Sequence, residues 1–154
     1  MQRENSAYKV INNLVSEITS EQEIQSIEEA IQSSKKLIGV QQHLQAALKL
    51  MTDRTTPDYR NSIKESISAV ESLCKTIMGT DKATLGQVLK SLEDSHGLHS
   101  ALKSSMSSLY GYTSDADGIR HAMLEESTLS FIDAKFMLVS CTNFINYVIN
   151  KTSF

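Results

Sequence analysis

Between Ile63 and Ile77 the apolar side chains fall at Ile63, Ile67, Val70, Cys74 and Ile77. That is the repeat of a single buried helix face, with about 3.6 residues per turn. The same spacing recurs at Ala7, Val10, Ile11, Leu14, Val15 and Ile18, and again at Ile24, Ile27, Ile31, Ile38, Leu44, Leu48 and Met51. It returns at Leu85, Val88, Leu89 and Leu92, and at Leu98, Ala101, Leu102, Met106 and Leu109. One proline and six glycines in 154 residues leave few of the residues that turns and strand ends draw on,. The pattern predicts an all-α fold, a helical bundle of about five to six helices, as a single domain over residues 1–154.

The boundaries follow from local signals. The first stripe predicts a helix over 4–19. Ser20 with Glu23 has the spacing of a capping box for a second helix, from Glu21 to Met51, with Gly39 marking a bend or break,. Thr52 to Thr56 reads as a loop, and Thr56-Pro57 as the cap and first position of a third helix reaching Met78,. After Gly79-Thr80-Asp81 comes a short fourth helix, then a turn over Asp94 to Gly97 and a fifth helix from Leu98 to Tyr110. The last helix, capped by Thr128, runs from Leu129 to Ile149. It is apolar nearly all round, the mark of a helix buried at the centre or across a subunit contact,. Residues 1–51 form an N-terminal helical pair or arm, and 57–150 the core.

Net charge of −3 and a pI near 5.8 argue against a broad nucleic-acid surface and leave room for a small basic site,. Cys74 and Cys141 lie inside apolar patterns and form no CxxC pair, so they read as two buried thiols in a reducing compartment,. The segment MQRENSAYKV has no apolar run of the secretory kind,. Phe136 to Ile149 is too short to span a bilayer and is interrupted by Ser140, Thr142, Asn143 and Asn146,. The expectation is a soluble, cytoplasmic protein with no membrane partner. No GxSxG, Walker A, GxGxxG or HExxH pattern is present,. His96 and His99 are separated by Gly97 and have no carboxylate placed to complete a metal site, so no cofactor or metal is expected,.

Chemistry concentrates in the stretch Gly111 to His121, read as a long polar connection between helices. It holds Asp115, Asp117, Arg120 and His121,. Arginine offers a planar fork of donors to a phosphate, and a histidine can move protons near neutral pH. Together they suit metal-independent RNA cleavage, His121 taking the 2′-hydroxyl proton and Arg120 stabilising the phosphate charge. The plainer reading is that Arg120 pairs with Asp115 or Asp117 to tie the loop and His121 starts a helix. Arg60 and Glu71 lie on one flank of the third helix, about 16 Å apart, either reaching that loop or sitting exposed at the rim. Glu65 faces outward. Tyr110 and Tyr112 can stack on a base or anchor the fold.

Several runs carry a resemblance: Asp58 to Leu73, Leu98-His99-Ser100-Ala101-Leu102, Leu109 to Asp115, Asp117-Gly118-Ile119-Arg120-His121-Ala122, and Asp133 to Val139. Together, over about residues 57 to 148, they resemble the N-terminal domain of AbiJ-type abortive-infection proteins, a branch of the HEPN superfamily. The resemblance implies an all-α bundle, often a homodimer, associated with phage defence or toxin–antitoxin systems and admitting a protein partner from the same operon. It also implies RNA or a nucleotide as ligand, since many HEPN domains are metal-independent endoribonucleases. On that pattern Arg120 and His121 are catalytic, with Glu71, Arg60, Asp115, Asp117 and Tyr112 supporting or binding. The family separates its arginine and histidine by several residues, whereas here they are adjacent. The alternative from the same residues is a non-catalytic all-α module for dimerisation, partner binding or nucleotide sensing.

Overall fold

A computed structural model describes residues 8–11, 14–17, 21–33, 37–114 and 129–153, the backbone alone at 8–11, 14–17 and 111–114. Among these residues two short strands, β1 (Tyr8–Ile11) and β2 (Leu14–Glu17), precede six helices. These are α1 (Glu21–Ser33), α2 (Ile38–Thr52), α3 (Tyr59–Met78), α4 (Leu85–His96), α5 (Ser100–Ser114) and α6 (Phe131–Thr152). The chain is an all-α bundle carrying one small hairpin.

That hairpin corrects the helix expected over 4–19. β1 and β2 pair antiparallel, Tyr8 opposite Glu17 and Ile11 opposite Leu14. Tyr8, Val10, Ile11 and Val15 are aromatic or β-branched, types that fit a pleated surface better than a helix,. The helix expected over 21–51 is two helices. The interruption falls between Ser33 and Ile38, just before Gly39, which is the second residue of α2 at a close crossing with α3.

Capping fixes the remaining boundaries. α3 begins two residues later than Pro57, because Asp58 is its cap and accepts a bond from Asn61 N at 3.0 Å,. α4 is opened by a reciprocal Thr84–Gln87 capping box and ends at Gly97, whose φ of 71° is left-handed,. Of the turn expected over Asp94 to Gly97, Asp94 to His96 are therefore the last turn of α4 and Gly97 is its cap. Ser130 with Asp133, rather than Thr128, opens α6, and Asp133 accepts from Ser130 N at 2.8 Å. α5 extends through Ser114, so the irregular stretch expected from Gly111 begins as helix.

α6 is the hub of the bundle. Ala134, Leu138, Cys141, Ile145 and Val148 are fully buried along it, against faces of α1, α2 and α3. α2 and α3 lie alongside each other. Ala47 and Ala69 are fully buried, and Ser62 Oγ donates to the Ala47 carbonyl at 2.7 Å. Ile24, Ile27 and Ile31 of α1, with Val40, Leu44 and Leu48 of α2, belong to the same core as α3 to α6. Truncating one such side chain, Leu48→Ala for instance, costs about 2–5 kcal/mol. The α1–α6 seam is polar in part. Ser26 Oγ donates to Asn143 Oδ1, Asn146 Nδ2 donates to the Ser26 carbonyl at 3.0 Å, and Lys135 pairs with Glu23 at 3.6 Å. No helix among the described residues is long and apolar enough to cross a membrane.

Candidate functional site

Arg120, His121, Asp115 and Asp117 lie outside the described residues. Tyr112 is within α5, and its side chain lies outside the described residues too. The structure does place the two ends of the intervening segment: Ser114 closes α5, and Leu129 lies just before α6.

Two of the clefts beside α3 take in residues singled out above. One is bounded by α3, the start of α4 and α5, has a volume of about 460 Å³, and takes in Glu71, Lys75, Thr84, Ser107 and Tyr110. Its floor is apolar, with Ile67, Val70 and Leu85. Glu71 and Lys75 sit one helical turn apart, so their formal charges cancel. Tyr110 is a structural wall here and no stacking platform. It is 3% exposed, its ring lies 5.1 Å from that of Phe144, and its hydroxyl donates to the Ser140 carbonyl at 2.9 Å,. Burial, with the nearby Cys141 and Cys74 thiols, pushes the phenol well above its ordinary value,.

The second cleft, of about 410 Å³, lies at the start of α3 and is lined by Pro57, Asp58, Tyr59, Arg60, Asn61, Lys64 and Leu129. Arg60 and Lys64 are one turn apart on one flank,. The Asp58 carboxylate is engaged by Asn61, whose backbone N donates at 3.0 Å and whose Nδ2 donates at 2.6 Å. Among the described residues that line it, the charged side chains are Arg60, Lys64 and Asp58. Tyr59 is held edge-on to Phe131, ring centroids 6.4 Å apart.

Arg60 and Glu71 thus line different clefts, and eleven residues of helix separate them by about 16 Å,. Both are exposed. Lys64 escaped the sequence reading although its signal was present, an i,i+4 partner to Arg60. Glu65 is not simply outward-facing: His43 Nδ1 lies 2.6 Å from its Oε2, joining α2 to α3. The His96 carbonyl accepts from Lys151, and His99 Nδ1 accepts from Ala101 N at 3.1 Å. Among the described residues no group of three His, Cys, Asp or Glu side chains is placed to hold a metal ion.

Cys74 and Cys141 are buried free thiols. Burial, then the Glu71 charge, pushes Cys74 up to about 12, and burial raises Cys141 as well. Neither is a nucleophile near neutral pH. Compared with family models, with curated proteins and with solved structures, the chain finds no match in any of the three.

Proposed function

We propose that this chain is a HEPN-like effector of the abortive-infection or toxin type that acts on RNA, as a metal-independent endoribonuclease using Arg120 and His121. The observation that carries the reading is the second cleft. The segment bearing Arg120 and His121 ends at Leu129, and Leu129 lines a cleft with Arg60 and Lys64, two cations suited to a phosphate,. The sequence resemblance over residues 57 to 148 supports the same class. In the reaction His121 accepts the 2′-hydroxyl proton and the 2′-oxygen attacks the adjacent phosphorus. Arg120 stabilises the charge that develops on the phosphate oxygens. The 5′-oxygen leaves and takes the proton from the imidazolium, and a 2′,3′-cyclic phosphate remains. The test is incubation of the purified chain with total RNA in EDTA, beside Arg120→Ala and His121→Ala. Cleavage by the wild type that both variants lose supports the reading, and no cleavage with RNA binding unchanged in both variants removes it.

A second reading, a non-catalytic dimerisation module, has its own observation. Ile132 and Phe136 stand one turn apart on α6 and are 71% and 58% exposed,. On this reading the native mass is that of a dimer, and Phe136→Lys converts it to a monomer. A monomeric wild type at micromolar concentration by light scattering counts against it.

A further inference from the structure

We infer that α1 is a detachable helix, seated on the polar side of α6 and released from it as a unit while α2 to α6 stay folded. The inference is independent of the RNA-directed reading. α6 is buried at the centre of the bundle, yet Lys135, Thr142, Asn143 and Asn146 fall at helical spacing along it and all meet α1,. Ser26 Oγ lies 3.3 Å from Thr142 Oγ1. The Asn146 side chain gives one bond to α1 and buries an acceptor with no partner among the described residues. The α2–α3 seam is the contrast. It closes on Ala47, Ala69 and Gly39, and its buried Ser62 hydroxyl is satisfied. Contacts that open and close are more polar than permanent ones, and an unsatisfied polar group lowers the cost of letting water in. α1 packs chiefly on α6, burying Ile24, Ile27, Ala30 and Ile31. Its four glutamates have no cation beside them on the helix, so it has no ion pair of its own,. A helix of 13 residues is marginal alone in water,. Off α6 it therefore unravels, and its amides exchange together.

Amide hydrogen exchange of the full chain, resolved residue by residue by NMR at rising urea below the unfolding transition, tests this. The α1 amides should share one opening and exchange at least about tenfold faster than the slowest amides of α3 and α6. They should also respond less steeply to urea, since releasing α1 exposes less surface than unfolding the bundle. Leu89→Ala separates this opening from global unfolding. Leu89 is fully buried on α4, which packs on α3, α5 and α6. Its truncation should speed the slowest α3 and α6 amides about thirtyfold or more and leave α1 within about twofold of wild type. If α1 follows α3 and α6 in urea slope, or follows them in Leu89→Ala, it belongs to one cooperative unit and the inference falls. It falls too if the α1 amides open one by one from the helix ends. Should Leu89→Ala not fold, the urea slopes of the wild type decide by themselves.

Discussion

Gly39 on α2 and Ser72 on α3 stand so close that a Cβ on the glycine would lie 2.6 Å from the serine Oγ. Real side chains do not tolerate that distance, so the pair sets how near the two helices lie. Alanine at 39 gains helix propensity worth up to about 1 kcal/mol, and in the native chain the clash opposes that gain. With Ser72→Ala present the obstructing oxygen is gone and the next atom, the Cβ, is an ordinary 3.8 Å away. Gly39→Ala is therefore expected to be neutral or destabilising alone and stabilising in the Ser72→Ala background. Urea denaturation of the four chains measures the coupling, and equal effects in both backgrounds contradict it.

Asn146 is 9% exposed, and its Oδ1 is buried with no hydrogen-bond partner among the described residues. Only its Nδ2 is engaged, by the Ser26 carbonyl. An orphaned buried acceptor costs about 1–3 kcal/mol, more than one neutral hydrogen bond contributes. Asn146→Leu, of similar size, is expected to hold or raise stability, by about 1 kcal/mol at most. Asn146→Asp places a charge there and should lower stability by more than 2 kcal/mol at pH 7. Thermal melts of both variants check the pair, and a marked loss in Asn146→Leu would show that the Oδ1 is satisfied after all.

Alkaline pH should loosen the core from within. Cys74 titrates near 9 when unfolded and about 12 when folded, and Cys141 and Tyr110 are raised in the same direction. The folded chain keeps protons that the unfolded chain releases, so stability is intact below pH 9 and falls as pH rises towards 12. Each thiol contributes about 1.4 kcal/mol per pH unit in that window. Urea midpoints between pH 7 and 10.5 should be flat up to pH 9 and decline beyond it, and Cys74→Ala should soften the decline. A midpoint that does not move above pH 9 would contradict the burial of these groups.

The core was legible from period alone, since Ile63, Ile67, Val70 and Cys74 are all buried on α3, as their spacing required,. Boundaries were not, because several side chains compete to cap each helix. Asp58 prevailed over Thr56, and Ser130 over Thr128, each being placed three residues before the group it bonds. The hairpin was missed because four-residue runs around Asn12-Asn13 satisfy helical and strand spacing equally, and only β-branching separates them,. For the site, the sequence offered Arg60 and Glu71 together, on one flank of the third helix. Only the cleft singles out Lys64 beside Arg60 and assigns Glu71 to a different cavity. The His43–Glu65 contact joins residues 22 positions apart on neighbouring helices, which no local pattern announces.

Asp58 serves the fold and the cleft at once, and the two roles separate by substitution. As the α3 cap it accepts from Asn61 N, a contact worth about 1 kcal/mol that asparagine supplies nearly as well and alanine does not,. As a cleft residue it is, among the described residues, the carboxylate that lines the cleft with Arg60 and Lys64, so its charge opposes an anionic strand,. Asp58→Asn should keep the melting temperature and tighten RNA binding several-fold at low salt. Asp58→Ala should tighten binding to a similar degree and lower the melting temperature by several degrees. The binding gain should shrink as salt screens the carboxylate. Binding that follows the melting temperature of the two variants instead of the lost charge would mean that Asp58 matters to RNA only through the helix it starts.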